Sequence, residues 1–420
     1  MKSTLRAALA LPLFTLPLVV ALGACAPATQ RPAPGASAAI EARAPITILV
    51  SIDGFRPAVM RHGTTPNLDA LADDGAAGTM RPSFPSITIP NHISIVTGLR
   101  PDHHGIVDNA MRDPQRPGVT WKIADPTVNR DPFWWNGFEP IWASAERAGI
   151  RTGIMFWPGA DTAINGVRPS NWFTYDSAIT STQRVDTVLD WVRRPAANRP
   201  AFVAVYFDVV DKAAHTQGYD SPEERAAIAD VDAQIGRLRA GLAAVEQPAN
   251  LIIVSDHGMA PVPPDHVRPI TDIVDPAIME SITQGPWLDI YPKAGRDEAV
   301  ARALLVKRDN IDCWRKADIP ARYGYGHNPR VAPFICMAHL GWSFVEKPRA
   351  YVKGEHGYDP DDPAMRALFI ASGPAFRNAL HPPEGFANID VYPLLAKLIG
   401  VAPRPNDADP ATLDGLIRTK

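Results

Sequence analysis

Residues 45–55 read PITILVSIDGF. From Ile46 to Ile52 the run is apolar at odd and even positions alike, so neither face of a strand is left for water, and it stops abruptly at Asp53-Gly54. That pattern predicts a fully buried parallel strand whose C-terminal edge carries a polar turn. The same grammar recurs in AFVAVYFDVVD (201–211), which ends in Asp208 and Asp211, and in NLIIVSDHGM (250–259), which ends in Asp256-His257-Gly258. Helical patterns separate these runs: TPNLDALADDG (65–75), PIWASAERAG (140–149), TQRVDTVLDWVRRP (182–195) and SPEERAAIADVDAQIGRLRAGLAAV (221–245), the last opening on a Ser221-Pro222 start signal. Strands alternating with helices imply an α/β fold with a mostly parallel central sheet and helices on both faces. In such folds sites gather at the C-terminal ends of strands, so the polar residues there are the ones to collect.

The chain of 420 residues, 46% of them hydrophobic, has ample material for a sizeable core. A net charge of -3 with no basic stripe excludes a role built on wrapping nucleic acid and leaves small anionic substrates open. Lys2 and Arg6 precede AALALPLFTLPLVVALGAC (7–25), too short and too Pro-broken for a membrane span and suited to an export signal over 1–24. Its end, Leu22-Gly23-Ala24-Cys25, resembles the lipobox of bacterial lipoproteins, which implies cleavage before Cys25 and a lipid on its thiol as the only membrane attachment. An ordinary secretory cut near Ala24 is the alternative. Ala26 suits passage to the outer membrane, so the expected location is the bacterial cell envelope, on the periplasmic side. Residues 25–44 are Pro, Ala and Ser with few large apolar residues and read as a disordered tether.

The folded region is expected over 45–402, followed by a tail at 403–420. After about Pro263 the alternation weakens into a Pro-rich segment, read as a smaller inserted subdomain over about 264–347. It carries Cys313 and Cys336, an even pair that predicts a disulfide in an oxidising envelope, with two buried free thiols as the alternative. No internal repeat occurs, and no feature of the chain points to a particular oligomer.

Four separated segments present metal ligands at strand ends or beside glycines: Asp53, Asp211 with His215 in DKAAH, Asp256 with His257, and His356 in GEHGYD (354–359). Asp211 and His215 are spaced to share one face of a helix. Each signal alone reads as a turn or a solvated helix face. Three carboxylates and three imidazoles together are what two zinc-like ions need when coordination stays open for a substrate. In PSITIPNHISIVTGLRP (85–101), Thr88 places a hydroxyl between two isoleucines, ahead of a helix expected to run from Pro90 to Gly98, whose free N-terminal amides would suit an anion.

With SIDGFRP, PSITIPNHISIVTGLRPDHHGIVDN, FWPGAD, VYFDVVDKAAHTQG, VSDHGM, GEHGYDP and MRALFIASGPAF in that order between Pro45 and Val401, the chain resembles the nucleotide pyrophosphatase/phosphodiesterase family of the alkaline phosphatase superfamily. The resemblance implies an alkaline-phosphatase-like fold, two Zn2+ ions and a covalent phosphothreonine. It makes Thr88 the nucleophile and a metal-facing oxygen, gives Asp211, His215 and His356 to one zinc and Asp53, Asp256 and His257 to the other, and assigns Asn109 to a nonbridging phosphoryl oxygen. Zinc would lower the pKa of the threonine hydroxyl, a poor nucleophile while protonated. Two departures stand out. Ala214 precedes His215 where the family usually has glycine, and Ile89 follows the nucleophile where nucleobase-stacking members often have phenylalanine. Tyr206 matches an aromatic of the base slot and equally suits a strand residue in the core.

His92, His103 and His104 near the nucleophile, and His266, His327 and His339 in the insertion, are expected to be structural. Trp134, Trp135 and Trp142 are expected mainly in the core. The implied function is a zinc phosphodiesterase that releases a nucleoside monophosphate from nucleotide pyrophosphates or phosphodiesters. A phosphomonoesterase needs more positive charge at the phosphoryl group, which here only Lys212 or Arg168 could bring. A phospholipid-headgroup or phosphonate diesterase stays open through Ile89. An inactive binding lipoprotein of the envelope would lack a ligand or the nucleophile, and none is lacking.

Overall fold

The computed structural model describes residues 43–347 and 353–418; the signal segment, the lipobox with Cys25 and nearly all of the tether lie outside them. An eight-stranded sheet forms the centre, built from β1 (Ile46–Ile52), β2 (Ala76–Arg81), β3 (Thr152–Met155), β4 (Asn171–Phe173), β5 (Phe202–Phe207) and β6 (Ala249–Val254). Four further strands, β7 (Met279–Ser281), β8 (Trp287–Pro292), β9 (Ile311–Arg315) and β10 (Phe334–Ala338), make a second sheet. The chain then returns to the first sheet as β11 (Ala367–Ser372) and β12 (Phe386–Ala387). Across the large sheet the order is β12-β2-β11-β6-β1-β5-β3-β4, and every strand but β11 runs the same way.

β1 lies at the heart of this sheet, and all of its residues are buried. Ile48, Val50 and Ile52 pack on one face with α1 (Pro66–Asp74), while Leu49 packs on the other with α2 (Thr88–Thr97) and α3 (Ile141–Arg147). The first face is completed by α4 (Ser181–Arg193) and, beyond the short α5 (Val209–Gln217), by α6 (Pro222–Ala244). Burial on both faces is why the run shows no period-2 polarity. α6 starts where its sequence says it should, with the Ser221 hydroxyl accepting the Glu224 N–H at 3.1 Å and Pro222 in the first turn.

The expected α2 boundary moves. The helix begins at Thr88 rather than Pro90, with Ile87 extended as its N-cap and Gly98 left-handed at its end. Proline fits anywhere in a first turn because the N–H it lacks has no intrahelical acceptor there, so Pro90 marks the first turn and not the first residue.

The second sheet, in the order β7-β8-β10-β9, is antiparallel. It closes over its own core with α7 (Asp297–Leu304), where Leu288, Ile290, Phe334 and Cys336 meet Val300 and Leu304. Cys313 and Cys336 face each other across β9 and β10 and are joined by a disulfide, as their pairing in the sequence suggested. Trp287 at the start of β8 reaches into the main core, its ring 5.0 Å from that of Phe84. Trp134, Trp135 and Trp142 are all buried there too. The chain ends near α8 (Val391–Ile399), and Leu413 and Leu416 of the expected tail are buried in the same core. Among the described residues no helix is long and apolar enough to cross a membrane.

The disulfide closes a loop across a sequence separation of 23 residues. Chain-entropy arguments give such a link about 3 kcal/mol. Replacing both cysteines by serine should therefore lower the unfolding free energy by about that amount in urea titrations; a loss well under 1 kcal/mol would show that the strands hold the register unaided.

Candidate active site

Three strands of the large sheet deliver the site at their C-terminal ends. Asp53 follows β1 with its N–H on Phe207 O at 2.9 Å, Asp211 sits in the first turn of α5 after β5, and Asp256 and His257 follow β6. Gly54 is left-handed (φ 64°), and a Cβ there would come within 3.0 Å of the Asp211 Cβ and carboxylate, so only glycine lets the two segments close on one point. His215 lies one helical turn beyond Asp211, with their Nε2 and Oδ1 3.3 Å apart. His356 Nε2 is 3.7 Å from the same Oδ1.

The ligand atoms of Asp211, His215 and His356 form one close group, and those of Asp53, Asp211 and His257 a second. Asp256 joins the second through its Oδ2, 3.0 Å from His257 Nε2. Asp211 thus stands between the two groups. Thr88 Oγ1 lies 3.3 Å from His257 Nε2, which puts the hydroxyl at the edge of the same cluster.

The surroundings of these side chains fit a cation centre. His215, His257 and His356 each direct Nδ1 at a backbone carbonyl, of Gly354 (2.8 Å), Gly258 (2.9 Å) and Ser86 (3.0 Å). That bond places the proton on Nδ1 and leaves the Nε2 lone pair facing the centre. Two of the carboxylates commit one oxygen to the protein: Asp53 Oδ2 accepts the Tyr206 hydroxyl, and Asp256 Oδ1 accepts the Gly54 N–H at 3.2 Å. Asp53 Oδ1, Asp211 Oδ1 and Asp256 Oδ2 are buried without a hydrogen-bond donor. Unpartnered buried carboxylate oxygens are costly, and a divalent cation is the partner such a donor set suits.

The electrostatics agree. Burial, with the nearby Asp256 and Asp211 charges, pushes the Asp53 carboxyl well above the usual carboxylate range. Burial works against a charge on His215, but Asp211 prevails and lifts the imidazole to about 9. Burial and the neighbouring His257 pull His356 down to about 3. Without a cation the chain holds together groups that disagree strongly about their protons.

Beside the cluster opens a cleft of about 310 Å3 whose lining includes Asp53, Thr88, Ile89, Asn109 and Tyr206 together with the aromatic Phe156, Trp157 and Tyr175. Asn109 Oδ1 accepts the Ile89 N–H at 2.9 Å, which fixes the amide and leaves Nδ2 as its free donor. The expected set of free helix amides is smaller than its boundary implied. Ile89 N–H goes to Asn109, Pro90 has none, and among the described residues the Thr88 N–H is left without a partner. Tyr206 lines the cleft and also orients Asp53 through its hydroxyl.

Aromatic residues without an assigned role in the sequence also line the cleft. Tyr175, 47% exposed, hangs over the cleft with its hydroxyl held by Asp208 at 2.7 Å, and Arg184, itself buried, pairs with Asp208 at 2.7 Å. Phe156 lies 5.3 Å from Tyr175 and takes a left-handed backbone (φ 70°) that a bulky residue adopts only at a cost of order 1–2 kcal/mol. FWPGAD contained Phe156, but nothing in its local pattern marks a left-handed phenylalanine. Glu355, half-buried beside His215, is pushed up to about 7 by desolvation; it was legible only as the neighbour of His356.

The other histidines are structural. His92 is buried, bonded to Ser51 Oγ and Thr88 O, and tethers α2 to β1. His103 meets Asp407 at the surface, His104 lies beside Ser94, His266 stacks on Trp342, and His327 and His339 bond Asp102 and Asp312. Ala214 is fully buried, and the close approach to its carbonyl is accommodated at Gly354, where a Cβ would lie 2.8 Å away.

The α/β sheet, with Thr88 and two groups of candidate metal ligands gathered beside its strand ends, has the alkaline-phosphatase-like architecture. Residues 47–359 match the family model for type I phosphodiesterase / nucleotide pyrophosphatase. An uncharacterised pyrophosphatase/phosphodiesterase of Schizosaccharomyces pombe is 36% identical over 86% of this chain and 78% of its own. The bis(5'-adenosyl)-triphosphatase ENPP4 of Bos taurus is 32% identical over 86% and 80%. The solved structure of murine ectonucleotide pyrophosphatase/phosphodiesterase 5, an inactive T72A form in complex with AMP, superposes with a TM-score of 0.85 at 30% identity, covering 89% of this chain and all of that one. The chain belongs to the type I phosphodiesterase / nucleotide pyrophosphatase family, and it is a hydrolase of that family.

If the Tyr206 hydroxyl orients Asp53 for a metal, Tyr206→Phe should weaken divalent-metal binding about 10–100-fold in competition with a metal buffer, with little change in the fold by circular dichroism. Unchanged affinity would remove Tyr206 from the support of the centre.

Proposed function

We propose that the protein is a two-zinc phosphodiesterase that cleaves nucleotide pyrophosphates or phosphodiesters and releases a nucleoside monophosphate by way of a phosphothreonine at Thr88. The observation that carries this reading is the make-up of the cleft. Among the described residues that line it, none is Lys or Arg. Lys212 is exposed on α5, and Arg168 lies over the Trp172 ring. A monoester brings about one more negative charge than a diester and needs donors to meet it. A cleft whose own donors are an amide and a backbone N–H suits the diester.

Asp211, His215 and His356 would hold one ion, and Asp53, Asp256 and His257 the other. When bound, the ions would supply positive charge for the phosphoryl oxygens and lower the pKa of the oxygen that attacks. The remaining work belongs to the chain. α2 holds Thr88 at its first turn, where the helix dipole favours an anion. Thr88 Oγ1 forms a bond to phosphorus as the bond to the leaving oxygen breaks, and the threonine proton departs with the released alcohol or phosphate. Water then cleaves the phosphothreonine, which restores Thr88 and frees the nucleotide. Asn109, fixed by Ile89, presents Nδ2 to a nonbridging oxygen as charge builds there.

The exposed Tyr175 ring, backed by the buried Phe156, supports a planar base as the other half of the substrate, since stacking on an aromatic face tolerates any base. It offers the open face that Ile89 does not. The relative solved with AMP supports the same choice of ligand class.

Turnover of the p-nitrophenyl ester of thymidine 5'-monophosphate should exceed that of p-nitrophenyl phosphate at least about 100-fold in kcat/KM. Preference for the monoester would sink the diesterase reading. Thr88→Ala should fold and bind metal normally yet lose turnover by roughly 10^4 or more; substantial remaining activity would show that another group attacks phosphorus.

A further inference from the structure

Two buried acids outside the ligand cluster have no base to meet them. Asp289 on β8 is fully buried, and Asp108, next to Asn109, is 1% exposed. Asp108 is well supplied with donors: Oδ1 accepts the Asn109 and Ala110 N–H groups, and Oδ2 accepts the Trp287 indole N–H at 2.6 Å. Neither carboxyl oxygen of Asp289 has a well-formed hydrogen bond, because the nearest donor, the Trp287 indole N–H, is given to Asp108. Asp289 and Trp287 are two residues apart on β8 and share one face of the strand, so the bond from the Trp287 indole to Asp108 brings the two carboxyls beside each other.

Two charged carboxylates side by side in a dry interior cost several kcal/mol. A proton held between them removes the repulsion and gives Asp289 a partner. Among the described residues no cation faces the pair to do this instead. The facing groups are Tyr291, whose hydroxyl is buried without a partner, and Tyr325, which donates to Val107 O at 3.0 Å. Arg112 lies over the Tyr291 ring with its guanidinium committed to Glu280 at 2.7 Å, and Asp102 stands beyond Tyr325. Burial, followed by the Asp108 charge, drives the Asp289 carboxyl well above the usual range, while burial lifts Asp108 to about 7 in spite of its N–H donors. Carboxylic acids kept neutral in apolar sites so that they can donate are a known device.

We propose that Asp289 remains a carboxylic acid and donates its proton to Asp108, and that this bond, tying the second sheet to the turn before Asn109, positions the Asn109 amide at the phosphoryl group. The connection is short. Asp108 caps the turn through the Asn109 N–H, and Asn109 Oδ1 holds the Ile89 N–H beside Thr88. Asp289 acts only through Asn109, so it is a positioning residue. The second half of the proposal rests on the reading of Asn109 given above.

The test uses the metal-loaded enzyme. At neutral pH an infrared difference spectrum between the wild type and Asp289→Asn should contain the C=O stretch of one protonated carboxyl; its absence would overturn the shared proton. Asp289→Asn, whose amide still donates to Asp108, should keep kcat/KM within about threefold, whereas Asp289→Ala should lower kcat about 10-fold or more with KM little changed. In an Asn109→Ala background the same Asp289→Ala change should cost less than about twofold. Equal losses in both backgrounds would overturn the positioning role, because a merely structural defect adds independently. Undiminished diester turnover in Asn109→Ala alone would instead overturn the reading of Asn109, and the persisting infrared band tells that failure apart. The infrared arm needs only the near-isosteric variant, so a misfolded Asp289→Ala does not shield the proposal.

Discussion

Asp53, Asp211 and Asp256 come together in one cluster, the first and last of them buried and Asp211 half-buried. Like charges brought that close in a protein interior repel by several kcal/mol, and nothing in the chain alone relieves all of it. The rest of the site can be understood as a response to that repulsion. Three imidazoles are interleaved with the carboxylates, Tyr206 and Gly54 each take one carboxylate oxygen, and three oxygens are left for a divalent guest. The large sheet makes the convergence possible, because adjacent parallel strands β1, β5 and β6 end at the same level.

The same structure separates rigid from selective parts. The ligands ride on strand ends, on α5 and on the turn at His356, where backbone bonds and second partners hold them. The cleft wall is built differently. Tyr175 is held at its tip by Asp208 and leaves a ring face open to solvent, and Phe156 is held in a strained backbone. Chemistry sits on the scaffold, and the shape offered to the substrate comes from loops over it.

Much of the fold was legible because burial writes itself into local pattern. The runs at 46–52, 202–207 and 249–254 are strands, and the helices near 66, 141, 181 and 222 begin within a residue or two of their sequence signals. α2 starts two residues ahead of its proline signal, since proline is compatible with every position of a first turn. The Asp211–His215 spacing and the polar strand ends were equally legible, for a helical turn and a strand terminus are local facts. The openness of Tyr175, the left-handed Phe156 and the pairing of Asp108 with Asp289 left no trace of that kind.

By itself, then, the sequence determined which segments are strands and helices, that they alternate into a mostly parallel sheet, and that carboxylates and imidazoles stand at the strand ends. These follow from periodicity, turn chemistry and ligand type, which act over a few residues. Only the tertiary structure decided that Asp211 lies between both ligand groups, that no arginine or lysine among the described residues enters the cleft, and that Asp289 reaches Asp108 from the other sheet. Such meetings join residues far apart in the chain, and whether they occur is settled by how whole layers pack. A periodic pattern records which face a residue takes and carries no mark of what it will find there.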